Sequence, residues 1–467
     1  MRNLPESRTD RRIPSRTQVH RAHRAGFLGG RFGARAFCLA LAGASLAPCG
    51  YAKSLNEAVA AALSNHPQVL AADAAARATQ QDVKQARAGY FPSVEVNMAG
   101  GRETTESPQV LALGAGSVAL TRREAGVTLT QKLFDGFATR SEVERQSARV
   151  GGADARAADT RETIALRVVG VYIEILKNQQ LVKLARDNIA SHQKTLQKVQ
   201  QRVKGGVSQR VDLQQIEARL ALARSVLAAR EGRLREAEAN FQRTVGEAPR
   251  DLRDVDLKPV SMVRDGAIDP ALLEQAIKAA TETALGRNPA IAAADAEVSA
   301  AAAAKRGAGA AYLPRVNVEL GANRNNNLSG QAGAYNNETA MLVMRWNLFR
   351  GGGDQAQEKA SAERYAAARD IANDTRRQVQ ESIAVALHAK ATSEERLAFL
   401  EQHVVSSTEA LESYQAQLDL GRRSLLDVLN AESELFTARS NLVAGRYEDI
   451  FNRYAIEAAK GSLVMSL

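Results

Sequence analysis

Polar and apolar residues alternate in four separate segments of the chain. In the first of them, Val94, Val96 and Met98 are separated by Glu95 and Asn97. A period of two places successive side chains on opposite faces of a strand, so this segment predicts a strand with one apolar and one polar face. The other three segments follow the same rule, with apolar positions at Val127, Leu129 and Leu133; at Val316, Val318 and Leu320; and at Leu342, Met344, Trp346 and Leu348.

Two long segments lack proline and carry apolar residues at helical spacing. Residues 137–204 and 353–420 are 68 residues each, and at a rise of ~1.5 Å per residue each predicts a helix of about 100 Å. Steps of three and four residues, as between Leu397, Leu400 and Val404, are typical of helices that pack against other helices. The two segments therefore predict long rods in coiled-coil contact.

Glycines mark the ends of both rods. Gly205 and Gly206 follow the first rod, and Gly421 follows the second. Glycine readily takes the left-handed conformation found just after a helix. Each rod is therefore predicted to fold back into a second helix, which gives two helical hairpins. Residues 54–89 are also predicted to be helical, and the helix should end before Pro92.

The same motifs occur twice along the chain. A shift of 215 residues carries Gly206 onto Gly421, and further upstream a shift of 222 carries Pro92 onto Pro314. The seven-residue drift indicates one insertion in the loop between the first two strands, and the repetition indicates two copies of one structural unit. We expect repeat one at 53–249, a linker at 250–270 and repeat two at 271–467, each in the order helix, strand, strand, long helix, helix.

The composition suits long helices and gives little support to nucleic acid binding. Only 4% of the 467 residues are aromatic, which is more typical of coiled coils than of a large globular core. The formal net charge is +10, but residues 1–52 hold nine arginines against two acids, whereas residues 53–467 hold 53 basic and 50 acidic residues. We expect no nucleic acid partner, because the positive charge is concentrated in a segment predicted to be removed.

Residues 1–52 are predicted to be a signal peptide with an extended basic leader. Two arginines precede an apolar run at 36–46, and small residues lie before the expected cleavage site after Ala52. The thirty residues ahead of these arginines either belong to the leader or follow a start codon placed too far upstream; a disordered basic tail is the alternative. Both cysteines, Cys38 and Cys49, lie here, so the mature chain is expected to form no disulfide. The residues before Cys49 make a poor lipidation signal.

No pattern in the sequence indicates catalysis or a metal. The six histidines lack the spacing of a zinc site. Gly351, Gly352 and Gly353 are not followed by the lysine and hydroxyl residue of a phosphate-binding loop. His192 falls on a heptad stripe and is expected to pack against another helix. We expect a protein that is not an enzyme and that holds no cofactor and no metal.

Four amphipathic strands on an exported chain cannot complete a membrane sheet alone. Strands of about ten residues are long enough to cross a bilayer, but an open sheet leaves unpaired backbone groups at its edges, and membrane barrels start at ~8 strands. The strands are therefore predicted to join a barrel shared between chains and surrounded by outer-membrane lipid. Trp346 is the only tryptophan and is expected in an aromatic girdle; an ordinary packing role is the alternative.

Several motifs occur in a fixed order over residues 54–465. They are Ala62-Leu63-x3-Pro67, Tyr90-Phe91-Pro92, Leu133-Phe134-Asp135-Gly136, Leu348-Phe349-x-Gly351-Gly352 and Gly421-x5-Asp427-Val428-Leu429-x-Ala431-Glu432. Together they resemble the TolC family of outer-membrane channel proteins, and in detail its type I secretion branch. The resemblance implies a mainly α fold with a small β part, in which each chain has long antiparallel coiled-coil helices, four transmembrane strands and two structural repeats. It also implies a homotrimer with a 12-stranded β-barrel and a 12-helix periplasmic tube.

The resemblance further implies partners and a gate. The partners are a periplasmic adaptor protein, an inner-membrane ABC transporter and a secreted protein cargo. Carried over from the family, Arg423 would pair with Asp212, and Asp427 would form a three-fold carboxylate ring at a narrow periplasmic mouth. Asn430 stands where the family can have a second ring aspartate, and Leu418 where a tyrosine can brace the turn. Plain solvated surface is the alternative for Arg423 and Asp212.

The hairpin tips are expected to dock the adaptor protein. The residues in question are Gly205, Gly206, Gly421, Arg422 and Ser424. Tight reversal at the glycines would expose their neighbours to another helical hairpin. The alternative for the glycines is a simple role in ending the helices, and the two roles are compatible.

The sequence therefore predicts an outer-membrane protein with most of its chain in the periplasm. Its expected function is the passive exit duct of a type I secretion system, which carries a protein cargo such as a toxin or adhesin. The outer-membrane component of a drug or metal efflux pump is the alternative. A poreless periplasmic coiled-coil scaffold is a third hypothesis, which the doubled strand pairs disfavour.

Overall fold

The computed structural model describes residues 54–112, 114, 116–255, 262–264 and 267–467. Within these ranges, long antiparallel helices lead into one four-stranded sheet, and a second sheet has two short strands. The helices are α1 (Leu55–Asn65), α2 (Pro67–Ala88), α3 (Pro108–Ala112), α4 (Ala138–Lys204), α5 (Arg210–Val245), α6 (Pro270–Arg287), α7 (Pro289–Ala308), α8 (Gly353–Asp419), α9 (Leu425–Lys460) and α10 (Leu463–Ser466). The strands are β1 (Ser93–Thr105), β2 (Val118–Phe134), β3 (Val263–Arg264), β4 (Ala267–Ile268), β5 (Arg315–Asn326) and β6 (Ala334–Arg345).

The two predicted rods are confirmed almost to the residue. Helices α4 and α8 each run for 67 residues without a break, as expected for segments that contain no proline. Each is followed by an antiparallel helix of 36 residues, α5 or α9. Within the described residues α4 packs against α2, α5, α7 and α9, so the two repeats share one layer of helices.

The prediction of one continuous helix at 54–89 was wrong at His66. This residue has extended backbone angles, ends α1 and begins α2. Its imidazole Nδ1 accepts a hydrogen bond of 3.2 Å from the backbone N–H of Gln68. Proline is well suited to the first position of a helix but restricts the residue before it, so Pro67 starts a new helix here. The second repeat breaks in the same way at Asn288, whose side chain caps α7.

The predicted linker at 250–270 contains ordered structure. Strands β3 and β4 form a short antiparallel pair, and Met262 beside them is buried against α6 and α8. The backbone N–H of Met262 donates to the carboxylate of Glu394 at 3.2 Å. At the start of the linker, the backbone carbonyl of Arg253 accepts a bond of 2.7 Å from the Tyr172 hydroxyl. At Arg253 and Met262, the described parts of the connection are therefore held against α4 and α8.

A buried ionic network joins α8 to α9 near this linker. The ammonium of Lys390 lies 2.9 Å from Asp449 Oδ1 and 2.8 Å from Glu394 Oε2. Arg453 donates to the other oxygen of Asp449 at 2.6 Å, and the Ser393 hydroxyl donates to Oδ1. Burial alone would raise the pKa of the Asp449 carboxyl, but its bonds to Lys390 and Arg453 outweigh burial and lower that pKa. The carboxylate is therefore held in its charged form.

The sheet has the order β1-β2-β5-β6, with every neighbouring pair antiparallel. Val94 faces Leu129 in the first hairpin, and the residues related to them by the two sequence shifts, Val316 and Met344, face each other in the second. The two repeats therefore have identical strand register. Strands β1 and β6 are the two edges of this sheet and have no partner on their outer sides among the described residues.

The predicted insertion lies in the loop between β1 and β2. Fourteen residues separate the paired residues Thr104 and Ala119, whereas seven separate the equivalent pair, Asn326 and Ala334. Helix α3 occupies part of the longer loop, and its residue Val110 is buried there. The seven-residue difference is thus confined to one end of the sheet, away from the long helices.

The fourth strand is shorter than predicted. It ends at Arg345, so the expectation that Trp346 and Leu348 lie within it was wrong. Strand β2 has partners on both sides and reaches Phe134, but β6 has a partner on one side only. With fewer ladder bonds to extend it, β6 stops, and the Trp346 indole N–H donates to the backbone carbonyl of Tyr312 at 3.1 Å instead.

Matched glycines after α5 and α9 provide a test of the repeat packing. Gly461 and Gly246 both have left-handed backbone angles, with φ of 74° and 88°. A Cβ on Gly461 would lie 2.5 Å from Pro289 Cδ, whereas a Cβ on Gly246 meets nothing within 4 Å. We expect Gly461→Ala to destabilise the protein by about 2–4 kcal/mol and Gly246→Ala by about 1 kcal/mol. Urea unfolding of the two variants checks this, and equal losses would contradict the packing at Gly461.

Candidate functional site

The tips of the two helical hairpins have the same backbone design. Gly206 and Gly421 take left-handed φ angles of 75° and 72°, which cost glycine little. After each, the chain folds back to bond the last turn of the rod: the Val207 N–H donates to Arg202 O, and the Arg422 N–H donates to Gln417 O, both at 2.8 Å. Gly205 ends α4 itself. The predicted turns are therefore confirmed at both tips.

Asp212 and Asp427 occupy the same local position, the third residue of the returning helix. Each carboxylate accepts a bond from the backbone N–H of the residue before its helix, Gln209 at 3.2 Å and Ser424 at 3.3 Å. Ser424 completes a reciprocal cap, because its hydroxyl accepts from the Asp427 N–H. Capping boxes of this kind fix where a helix begins. The two aspartates thus stabilise the tips locally, and their roles in a latch or a charged ring remain predictions.

The Ser424 hydroxyl also donates to Asp427 Oδ2 at 2.8 Å. This bond, together with the nearby Arg423 guanidinium, lowers the pKa of the Asp427 carboxyl. The carboxylate is therefore charged at neutral pH. Three copies of such a group around an axis would repel one another and attract cations, which is the electrostatic behaviour expected of the predicted ring.

Arg423 makes its contacts within its own hairpin. Its guanidinium lies 4.4 Å from the centre of the Tyr414 ring and 3.7 Å from Asp427 Oδ2, and it donates to Gln417 Oε1 at 3.2 Å. Among the described residues of the single chain, it has no bond to Asp212. Tyr414, which lies one helical turn before Leu418, thus packs on Arg423 at the tip of the hairpin. The predicted Arg423–Asp212 link can form only between neighbouring chains or after rearrangement.

Removing both charges tests that link. In the channel that the sequence predicts, we expect Asp212→Asn together with Arg423→Gln to raise the open probability by about 1.4- to 5-fold, because an exposed ion pair typically contributes ~0.2–1 kcal/mol. Asparagine retains an oxygen that can cap α5. Single-channel recording in planar bilayers measures the change, and a record identical to that of the unmodified protein would reject the latch.

Two arginine side chains near the tips form hydrogen bonds between the hairpins within one chain, and sequence reasoning missed both bonds. The Arg202 guanidinium on α4 donates to the backbone carbonyl of Leu418 at 3.2 Å. Arg219 on α5 donates to the side-chain oxygen of Asn430 at 2.9 Å. Asn430 and Leu418 are the two positions at which the sequence departs from the family pattern. The departure at Asn430 was an available signal, because its side-chain oxygen accepts the bond from Arg219, whereas Arg202 bonds a backbone carbonyl and left no signal at Leu418.

A buried pair of side chains, His192 and Glu432, lies further from the tips along the helices. The Nδ1 atom of His192 on α4 lies 2.8 Å from Glu432 Oε2 on α9, and the two side chains are 5% and 2% exposed. The other carboxylate oxygen accepts bonds from the hydroxyls of Ser191 at 3.1 Å and Thr195 at 3.2 Å. The expectation that His192 packs is confirmed, and its partner is an acid of the second repeat.

The tip residues predicted to dock an adaptor are exposed. Gly205, Gly206, Gly421, Arg422 and Ser424 are all accessible to solvent. Two apolar neighbours that sequence reasoning missed, Val207 and Leu420, are about 70% exposed. Beside them a groove of about 620 Å³ separates the hairpins, lined by Lys194, Lys198, Arg202, Leu418 and Asp419 among others. Exposed apolar side chains next to such a groove are suited to contact another protein.

The main sheet exposes an apolar face and carries polar residues on the other. Val94, Leu129, Leu320 and Ala340 form one row across the four strands, and the adjacent row contains Val96 and Val127. The opposite face is rich in asparagine, threonine and charged residues. Val94, Val96 and Met98 are exposed, so none of the described helices covers this part of the apolar face. Such a face is stable in lipid rather than in water.

Aromatic side chains surround the end of the sheet nearest the helices. Trp346 is half exposed and lies just beyond β6, beside the exposed Tyr312. The other exposed aromatic residues of this region are Tyr90, Phe91, Phe137 and Phe349. Tryptophan and tyrosine favour the level of lipid headgroups. The girdle stays a prediction, and these aromatic residues, which sequence reasoning did not single out, would join Trp346 in it.

Two observations on the described residues concern metal binding and membrane-spanning helices. Among the described residues, no group of three or more histidine, cysteine, aspartate or glutamate side chains is placed to hold a metal ion. In the same part of the chain, no helix has the length and apolar character needed to span a bilayer. The predicted cleavage site at Ala52 lies outside the described residues.

Comparisons with known proteins agree on the family to which the chain is similar. The family described as "Outer membrane efflux protein" matches residues 58–247 and 280–462. The outer membrane efflux protein BepC of Brucella suis is 25% identical over 415 residues, which are 88% of this chain and 86% of BepC. The alkaline protease secretion protein AprF of Pseudomonas aeruginosa is 26% identical over 411 residues, which are 85% of this chain and 82% of AprF.

A solved structure has the same fold. The open state of the MtrE outer membrane channel of Neisseria gonorrhoeae matches with a TM-score of 0.70 and 18% identity, over 88% of this chain and 89% of MtrE. The match extends over both repeats, since it covers most of the described residues. The family match and the fold therefore agree with the geometry of the rods, tips and sheet.

Proposed function

Because the chain belongs to the outer membrane efflux protein family, we propose that three copies of it form the exit duct of a type I protein secretion system. The chain is an outer-membrane protein of the TolC family of channels. In the proposed duct, the sheet lies in the outer membrane, and the helices extend into the periplasm. Cargo passes through the shared interior without any chemical change.

The observation that carries the proposal is a sheet that exposes an apolar face and ends in two unpaired edges. The apolar face is unstable in water but stable in lipid, whereas the edges are not stable in a single chain within lipid, because each unpaired backbone group there costs several kcal/mol. Pairing β6 of one chain with β1 of the next removes the edges. Three chains with four strands each exceed the ~8 strands at which membrane barrels begin. The long helices then continue the barrel as a tube.

Protein cargo is favoured over small molecules by two observations. AprF, which is similar over most of both chains, is named as a protease secretion protein. The residues before Cys49 make a poor lipidation signal, whereas many ducts of efflux pumps are lipoproteins. The name of BepC favours the alternative, the outer-membrane component of an efflux pump. In either role, the tips would meet a periplasmic adaptor linked to an inner-membrane transporter, which is an ABC transporter under the main proposal.

Deleting the gene distinguishes the two roles. We expect the deletion strain to lose one or a few large proteins from the culture medium, as measured by mass spectrometry, and a plasmid copy to restore them. Sensitivity to drugs and metal ions is measured in the same strains. An unchanged set of secreted proteins together with increased drug or metal sensitivity would replace protein secretion with efflux. The absence of a heat-dissociable trimer from outer-membrane fractions would reject the duct itself.

A further inference from the structure

Three arginines lie on the apolar, outward face of the sheet at the end away from the helices. Arg123 is opposite Gly100 on β1 and Asn326 on β5. Arg102 and Arg324 are its diagonal neighbours across these two strands, at a spacing of about 7–8 Å. On its own strand, each of the three lies an even number of residues from a residue of the apolar row, so all three are on the same face as that row. The register therefore places the three arginines in a diagonal row on the outer surface, with Arg123 at its centre.

These arginines have no acidic partner among the described residues. The nearby acids Glu103 and Glu124 belong to the opposite face, where both pair with Arg122. The outward face holds one acid close in register, Glu338 on β6, opposite Ala322; it forms no ion pair with the arginines in the described part of the chain. Arg102, Arg123 and Arg324 are all exposed. The group thus carries three positive charges, with Glu338 as a diagonal neighbour of Arg324 that forms no ion pair with it in the described part of the chain.

The position of the three arginines along the strands indicates which layer of the membrane they would contact. Arg324 is paired with Asn336. Asn336 lies ten residues before Trp346, the residue predicted to belong to the aromatic girdle. At ~3.3 Å per residue and a tilt of about 40°, this is roughly 25 Å along the membrane normal, which is the height of the apolar band of a membrane barrel. An arginine facing lipid costs ~2–4 kcal/mol at mid-membrane but ~0–1 kcal/mol near the interface. The arginines therefore lie at the headgroup level of the outer leaflet.

We infer that Arg102, Arg123 and Arg324 form a binding site for a phosphate-bearing lipid headgroup of the outer leaflet. The planar fork of arginine matches phosphate oxygens in a bidentate way. Arg102 and Arg123 flank Gly100, which has no side chain, and Arg324 lies on the other side of Arg123. The gap at Gly100 leaves room for a headgroup while its acyl chains lie on the apolar band below. This inference rests on the membrane orientation in the proposed function.

The test uses the purified full-length trimer in detergent and diphosphoryl lipid A as the probe. We expect the unmodified trimer to retain lipid A through gel filtration, and Arg102→Gln/Arg123→Gln/Arg324→Gln to retain at least about tenfold less. The control, Arg122→Gln, removes a positive charge from the opposite face and should retain lipid A normally. A second triple variant with lysine keeps the charge without the fork, should bind weakly, and serves if the glutamine variant does not assemble.

Several results would overturn the inference. Equal retention by the unmodified and glutamine trimers, or by the lysine trimer if the glutamine variant does not assemble, would show that lipid binds elsewhere. Competition by inorganic pyrophosphate as effective as that by lipid A would indicate a soluble phosphate ligand instead. An unmodified trimer that retains no lipid A would reject the site but leave the duct intact. Failure of the unmodified chain to form a trimer would reject the proposed function instead.

Discussion

Asp449→Leu is expected to destabilise the protein by about 3–5 kcal/mol, because it leaves two cations near a buried site without their shared carboxylate. Lys390 is 1% exposed and would keep Glu394 alone, while Arg453 would lose both of its bonds to Asp449. The network also fixes the linker through Glu394 and Met262. We therefore expect both the urea midpoint and the temperature of trimer dissociation to fall.

The adjacent residue provides a matched control. Glu448 pairs with Arg396 at 3.1 Å, but both side chains are about half exposed. Glu448→Gln should therefore change the stability by less than about 1 kcal/mol. Equal effects of the two substitutions would mean that the Asp449 network contributes no more than a surface ion pair.

The stability contributed by Asp449 should also depend on pH. The pKa of its carboxyl is lower in the folded protein than the usual value, so the folded state binds this proton less readily than the unfolded state. The contribution is fully present above the unfolded pKa of about 4 and is lost as the pH falls through the folded value. We expect the stability difference between the unmodified protein and Asp449→Asn to shrink below about pH 4, as measured by unfolding at fixed temperature. A difference that grows in acid would contradict the sign of the shift.

Arg202→Met combined with Arg219→Met is expected to open the periplasmic end. Each arginine makes one bond between the hairpins, to Leu418 and Asn430 respectively. If each bond is worth about 1 kcal/mol, losing both shifts the equilibrium between closed and open states by about 30-fold. Planar-bilayer recording should show longer and more frequent openings, and cells should become more sensitive to a large antibiotic.

A third arginine separates this effect from the loss of charge. Arg186 on α4 donates to Glu231 on α5 at 2.9 Å, within one hairpin. Arg186→Met removes a comparable bond but does not separate the hairpins, so the conductance should stay unchanged. If Arg186→Met opens the channel as much as the double variant does, the inter-hairpin bonds are not what keeps it closed.

The elements of the fold were predictable because their signals are local. Period-two alternation identified all four long strands, and the absence of proline identified α4 and α8. The break at His66 also had a local signal, Pro67. That signal was ambiguous, because a proline at the first position of a helix allows another helix to end just before it. The end of β6 at Arg345 had none, because it depends on how many neighbours the strand has.

The site was only partly predictable, because its bonds join distant parts of the sequence. Ser424 and Asp427 have the spacing of a capping box, so their local role was available from the sequence alone. Arg202 bonds a backbone carbonyl, which any residue at position 418 would supply. His192 and Glu432 are 240 positions apart, and only the packing of α4 on α9 brings them together.

The buried pair formed by His192 and Glu432 makes the contacts between neighbouring hairpins in the proposed helical tube unequal. The 215-residue shift relates these residues to Ser407 and Glu217, so in the proposed trimer the equivalent contact, between α8 and the next chain's α5, lacks an imidazole. Three seams within chains are thus fastened by a buried pair, and three seams between chains are not. In the proposed trimer, a force applied evenly around the tips would therefore meet two kinds of seam that differ in their buried contacts, in addition to the tip bonds of Arg202 and Arg219.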